Sequence, residues 1–268
     1  MEQSYHRPQK RFGQNFLHDV HVIDRILAAA ELSSADRVLE IGPGLGVLTD
    51  RMLPVAGQVV VMEVDRNLVE RLKHRTEVNL AVFEGDALHL DWNNILTEPP
   101  YKLVANLPYN ISSQILFKIL DHRQLFSRLV LMFQKEVGDR LAAGPGTRDY
   151  GILSVLCQVW FDIQKVVNVP PGAFNPPPKV HSIVLEFQAR SEPRVAIDDP
   201  VFFRKVVKAS FAQRRKTLRN SLTGSGFAAA QVDGALAQAE INPGRRGETL
   251  TLSEFSQLAR ELKASFNP

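Results

Sequence analysis

The nonapeptide Tyr101-Lys102-Leu103-Val104-Ala105-Asn106-Leu107-Pro108-Tyr109 runs from a short apolar segment into an amide, a kink and an aromatic ring. Residues 101–105 fit a buried strand, and the amphipathic run from Ile111 to Leu120 fits a helix. Asn106, Leu107, Pro108 and Tyr109 therefore fall at the carboxyl end of a strand, where open α/β sheets bind their ligands. Pro108 fixes its own φ, biases Leu107 away from the helical region and offers a carbonyl without an N–H. Acceptors beside a stacking surface suit a planar group that carries an NH₂, such as adenine or a carboxamide. An Asn-capped turn would account for the tetrapeptide if it stood alone.

It does not stand alone. Upstream, the pattern alternates: strand Val38–Ile41, helix Leu45–Leu53, strand Gln58–Val64, helix Asn67–Arg75, strand Asn79–Glu84. Helix Val20 to Ala30 precedes this series, and strand Arg128–Phe133 follows the helix after Tyr109. Such alternation predicts a mostly parallel sheet with right-handed crossovers. After a helical stretch, Gly151–Phe161, two β-rich runs appear at Asp162–Val169 and Ser182–Gln188. The proline-rich segment between them leaves no room for a helix, so an antiparallel hairpin is expected at one sheet edge. Beyond Ser191-Glu192-Pro193 every apolar pattern has helical period, at about 199–209, 211–222, 227–239 and 251–265. The expected fold is α/β and Rossmann-like: a mostly parallel seven-stranded sheet with an antiparallel edge hairpin, plus a small all-α C-terminal domain. The domains are expected at 1–190 and 191–268, with residues 1–20 as a basic segment lying over the first.

Composition sets bounds on function. The 268 residues suffice for two cores, and 44% hydrophobic with 23% charged content is that of a soluble globular protein. No apolar run reaches membrane-spanning length and the amino terminus has no signal-peptide core, so a cytoplasmic protein is expected. The single cysteine, Cys157, lies in an apolar stretch and reads as a core thiol. The seven histidines are scattered, and His18 and His21 have no third ligand near them, so no metal is expected.

Four signals stand at successive strand ends. In Glu40-Ile41-Gly42-Pro43-Gly44-Leu45-Gly46, closely spaced glycines let a ligand approach the backbone. The dinucleotide fingerprint is not met, because Val47 stands where its third glycine belongs. Glu63 ends the second strand, placed to accept both hydroxyls of a ribose. Gly85-Asp86-Ala87 ends the third, where Asp86 can accept from an exocyclic adenine amine. Acidic residues at strand ends are often only helix caps. In this order, with Asn106 to Tyr109 as the fourth, they describe a nucleoside lying across the sheet and a second NH₂-bearing group at its far end. That points to S-adenosylmethionine rather than a dinucleotide.

These segments, together with Gln14-Asn15-Phe16-Leu17, Asn110-Ile111-Ser112, Phe174-Asn175-Pro176-Pro177-Pro178-Lys179-Val180 and Phe211-Ala212-Gln213-Arg214-Arg215-Lys216-Thr217-Leu218-Arg219-Asn220, resemble the ribosomal RNA adenine N6,N6-dimethyltransferases. The likeness covers nearly the whole chain and is greatest to the bacterial small-subunit branch of that family. It implies a class I S-adenosylmethionine-dependent methyltransferase fold, with Asn15, Leu17, Gly42, Glu63, Asp86 and Asn106 lining the cofactor site. It implies as substrate two adjacent adenosines in a hairpin loop near the 3′ end of 16S rRNA, within an immature small ribosomal subunit, and a monomeric enzyme. The related large-subunit methyltransferase that confers macrolide resistance, DNA adenine or protein glutamine methylation, and a non-catalytic assembly factor are the alternatives.

The residues supply a mechanism. The lone pair of an adenine N6 is delocalised into the ring. Acceptors on its two N–H bonds, the Asn106 side-chain oxygen and the Leu107 carbonyl, favour a pyramidal nitrogen and strengthen as positive charge develops. Tyr109 on one side and Phe174 on the other are expected to stack on a base taken out of its helix; a core position is the other reading of Phe174. Between Val201 and Asn220 seven basic residues occur without an acidic one. Arg214, Arg215, Lys216 and Arg219 are the expected RNA contacts in that run, extended by Arg245 and Arg246, and flanking the catalytic cleft together with the basic amino terminus.

Overall fold

The computed structural model describes residues 14–266. In chain order the elements are β1 (Phe16–Leu17), α1 (Val20–Ala30), β2 (Arg37–Ile41), α2 (Thr49–Met52), β3 (Gln58–Glu63), α3 (Arg66–Lys73), β4 (Leu80–Glu84), α4 (Trp92–Ile95), β5 (Tyr101–Asn106) and α5 (Ser112–Asp121). They continue as β6 (Phe126–Gln134), α6 (Lys135–Leu141), α7 (Ile152–Trp160), β7 (Phe161–Val169), β8 (Phe174–Asn175), β9 (Ser182–Ala189), α8 (Pro200–Phe211), α9 (Leu218–Gly224), α10 (Ala229–Gln238) and α11 (Leu252–Ala264).

Seven strands form one sheet in the order β4-β3-β2-β5-β6-β9-β7. The pairs from β4 to β6 are parallel, and β9 runs antiparallel to β6. The hairpin expected at the edge is thus β7 beside β9, with β9 inserted against β6. Val38 to Ile41 and Val59 to Glu63 are buried at every position, as befits parallel strands covered on both faces. Helix α1 is capped by the Asp19 carboxylate, which accepts from the His21 and Val22 N–H groups. It buries Val22, Ile23, Ile26 and Ala30 in a core that includes Val38, Val104, Val130 and Val184. Burying one such aliphatic side chain is worth about 1.5–3 kcal/mol.

Three features differ from expectation. The helix foreseen over Leu45–Leu53 is confined to Thr49–Met52, because residues 44–48 wind into turns through Gly42, Gly44 and Gly46 at φ 67°, 60° and 86°. The helix foreseen over 211–222 is broken: α8 ends at Phe211, residues 212–216 turn, and α9 starts afresh on Thr217, whose side chain accepts from the Asn220 N–H. Finally, β1 pairs antiparallel with β8, matching Phe16 to Asn175 and Leu17 to Phe174, a pairing that no local pattern announces.

The chain divides into two compact units. One runs to Gly138 and resumes at Asp162–Ala189; the other takes Asp139–Phe161 and the residues from Arg190 onward. A boundary drawn at residue 190 therefore misplaces α7, which packs against α8. In the helical unit Asp199 and Pro200 start α8, and a Thr251/Glu254 capping box starts α11. Phe211 lies between Tyr150 and Phe255, with ring centroids 6.1 and 5.8 Å away.

Candidate active site

The carboxyl ends of β2 to β5 and the short strand β1 surround a cleft open to solvent. Asn15, Leu17, Gly42, Glu63, Asp86 and Asn106 all line it. So do Leu107 and Tyr109. The Leu17 side chain itself is buried in the core, so what it offers the cleft is backbone.

The glycine turn presses closely on its neighbours. A Cβ added to Gly44 would stand 3.0 Å from the Phe16 ring, and one on Gly42 would stand 3.7 Å from Pro108. The loop is tied to Glu63, whose carboxylate accepts from the Gly44, Val64 and Asp65 N–H groups at 3.2, 2.9 and 2.9 Å. Burial pushes this carboxyl up, while the three N–H groups favour its anion. Val64 and Asp65 fill both acceptor positions of Oε1, while Oε2, which takes only the Gly44 N–H, keeps a lone pair for a sugar hydroxyl.

Glu40 is a site residue that reading the glycine motif alone passes over. It stands one residue before the end of β2, an acid inside an otherwise apolar run, and that is the signal for it. Its side chain is 2% exposed and accepts a 2.5 Å hydrogen bond from the Thr49 hydroxyl. Burial, helped by the Glu63 charge and opposed by the Thr49 bond, pushes its pKa from 4.5 to about 8. The folded state thus holds a proton that the unfolded chain releases above pH 4.5. Glu40's own contribution to stability is fully present below that pH and is lost as pH rises toward 8, on the order of 5 kcal/mol across the window. In Glu40→Gln that contribution to the pH dependence is expected to vanish, as urea unfolding at a series of pH values would show.

Asp86 turns back on its own segment: Oδ1 accepts from the Leu88 N–H at 2.9 Å and Oδ2 lies 3.1 Å from His89 Nδ1. Lone pairs remain on both oxygens. At the other end of the cleft, Asn106 Nδ2 donates to the Asn15 carbonyl at 3.2 Å. A carbonyl can only accept, so this bond fixes the orientation of the amide and leaves Oδ1 as its available acceptor. The Tyr109 hydroxyl is held 2.5 Å from Ser182 Oγ, which orients the ring; the anchor is remote in sequence and carries no local signal. Gln14 donates to Asp65 at 2.9 Å and secures β1 from its other side.

Phe174 is a correction. Its ring is 2% exposed and belongs to the apolar core with Leu17, Val22 and Ile26, so it anchors the proline-rich loop and does not face the cleft as a stacking platform. Among the basic residues, Arg215 and Lys216 are exposed in the 212–216 turn. Arg214 is exposed and donates to the Arg148 carbonyl at 2.7 Å. Arg219 forms a bidentate pair with Asp233 at 2.6 and 2.8 Å, so its fork is already engaged. Arg245 is likewise paired, with Glu254, and holds the turn before α11. Residues 1–13, with Arg7, Lys10 and Arg11, lie outside the described residues. Among the described residues no group of three or more His, Cys, Asp or Glu side chains is placed to hold a metal. No helix among them is long and apolar enough to cross a membrane. Cys157 is buried, and burial pushes its thiol up to about 12.

The sheet order and the acids and amide at its strand ends define a class I S-adenosylmethionine-dependent methyltransferase. The chain belongs to the ribosomal RNA adenine dimethylase family, whose model matches residues 5–262. It is 65% identical to the ribosomal RNA small subunit methyltransferase A of Syntrophotalea carbinolica, over 97% of this chain and 99% of that one. The protein of the same name from Geobacter sulfurreducens is 51% identical, over 97% and 96%. Among solved structures, a dimethyladenosine transferase from Plasmodium falciparum superposes with a TM-score of 0.78 at 28% identity, covering 94% and 98% of the two chains. The 23S rRNA methyltransferase ErmE superposes with a TM-score of 0.68 at 26% identity, covering 93% and 100%.

Proposed function

We propose that this enzyme transfers methyl groups to N6 of two adjacent adenosines in a hairpin loop near the 3′ end of 16S rRNA, acting as a monomer on an immature small subunit. The observation that carries the reading is the Asn106 amide, pinned by Asn15 so that its oxygen is the free acceptor, in the cleft that Glu63 and Asp86 also line. Near-full-length identity to proteins named for the small subunit favours this substrate over the large-subunit one.

S-adenosylmethionine supplies an activated methyl group. Glu63 would hold its ribose through Oε2 and Asp86 its adenine amine, with the glycine turn and Phe16 enclosing it. On the acceptor side, Asn106 Oδ1 and the Leu107 carbonyl take the two N6 hydrogens and turn the lone pair toward the methyl. These bonds tighten as charge develops on nitrogen, and they stabilise the transition state more than the ground state. Tyr109, fixed by Ser182, supports the base from one face. Positioning for in-line attack is the main catalytic term, and the proton leaves to water afterwards.

RNA is gripped through Arg215 and Lys216, with Arg214 beside them. Replacing both Arg215 and Lys216 with alanine is expected to make the salt dependence of RNA binding shallower by about 1.5 in log–log slope. Arg219→Ala should leave that slope nearly unchanged and lower the melting temperature instead. Titrations of a hairpin RNA at several salt concentrations distinguish the two. The function itself is tested by offering labelled S-adenosylmethionine with unmethylated small subunits, large subunits, DNA and bulk protein in parallel. Label in small-subunit RNA alone is expected; label confined to large subunits would overturn the substrate assignment.

A further inference from the structure

Lys118 lies on α5, the helix that follows directly from the Asn106 to Tyr109 turn, yet its side chain is committed to a different strand end. Its ammonium donates to the Leu88 and Leu90 carbonyls at 2.9 and 2.6 Å. It also sits over the Trp92 ring, 5.1 Å from the centroid. The Trp92 indole in turn donates to the Ala87 carbonyl at 3.0 Å. Three carbonyls of the segment after Gly85, those of Ala87, Leu88 and Leu90, are thereby held, and the Asp86 carboxylate is borne on that segment. Burial lowers the Lys118 pKa, while the charges of Asp86 and Asp91 draw it back up, so the ammonium and the Asp86 carboxylate lie within electrostatic reach. A half-buried lysine spending its charge on two carbonyls, with none of its hydrogen bonds made to a carboxylate, fits a role in shaping that segment better than a role in surface solvation.

We propose that Lys118 is a positioning residue for the purine end of the methyl-donor site: it holds the segment after β4 so that Asp86 meets the 6-amino group of the donor, and so sets selectivity for a 6-aminopurine. The proposal rests on the assignment of Asp86 to the adenine amine given above. It also makes α5 a mechanical link, since the element that begins at the acceptor-base turn ends by gripping the donor-base loop.

The test compares binding of S-adenosylhomocysteine with that of S-inosylhomocysteine, which has an oxo group in place of the 6-amine, by calorimetry. The wild type is expected to favour the adenosyl ligand by tenfold or more, as one hydrogen bond to a charged acceptor would give. In Lys118→Met the adenosyl ligand should weaken about tenfold while the inosyl ligand changes less than about twofold, and Lys118→Arg should restore the preference. If Lys118→Met does not fold, Lys118→Gln, which keeps an uncharged NH₂ donor group, should show an intermediate preference. Equal weakening of both ligands, or no change in their ratio, overturns the proposal and leaves Lys118 a structural staple. A wild type without preference overturns the assignment of Asp86, and the proposal with it.

Discussion

Asn106→Ala is expected to lower kcat for methyl transfer about 10³-fold, with the donor bound nearly as well and the melting temperature little changed. The size follows from losing one preorganised acceptor aimed at developing charge, which costs roughly 10²- to 10³-fold in comparable sites. The small effect on folding follows from its position: among the described residues the side chain makes a single hydrogen bond, to the Asn15 carbonyl, where it lines the cleft. Asn106→Asp sharpens the point. A carboxylate keeps the acceptor oxygen but has no N–H for Asn15, and it would set a negative charge against a carbonyl. If pinning of the amide matters, the aspartate enzyme should be about as impaired as the alanine one. Single-turnover rates with saturating donor read this directly, and an active Asn106→Asp would sink the argument from orientation.

Glu63→Ala should have the second largest effect, weakening donor binding about 10- to 10²-fold. One hydrogen bond from a sugar hydroxyl to the free position on Oε2, worth roughly 1.5–3 kcal/mol, accounts for that range. Stability should fall as well, because the Gly44, Val64 and Asp65 N–H groups lose their common acceptor. Glu63→Gln separates the two contributions. Its oxygen can still receive Val64 and Asp65, but its NH₂ then opposes the Gly44 N–H. Stability should return most of the way while donor affinity stays well below wild type. Calorimetry with S-adenosylhomocysteine, read beside thermal melts of the same samples, checks both.

Much of this site was legible before any coordinates, for a definite reason. A parallel α/β sheet presents its ligand at strand ends, and strand ends are where apolar runs stop, so Gly42, Glu63, Asp86 and Asn106 could be read in order from the pattern alone. What escaped was set by contacts between distant segments. Phe174 looks like a cleft aromatic until Leu17 pairs with it across β1 and β8 and carries its ring into the core. Arg219 belongs to a run without acids, yet Asp233 on the next helix engages its guanidinium. Residues 139–161 read as part of the sheet domain because they lie between its strands, whereas α7 packs with α8. Local periodicity gives an element; only the partner across the fold says which of its faces is free.

The central claim is adenine dimethylation at neighbouring positions of 16S rRNA, and reverse transcription across the 3′ end of that RNA tests it most directly. A dimethylated N6 cannot form the Watson–Crick pair, so the polymerase should stop at two adjacent adenosines of a hairpin loop after unmethylated small subunits meet the enzyme and S-adenosylmethionine. The stops should be absent with Asn106→Ala. Stops at some other site, or none in 16S rRNA while 23S rRNA acquires one, would contradict the account.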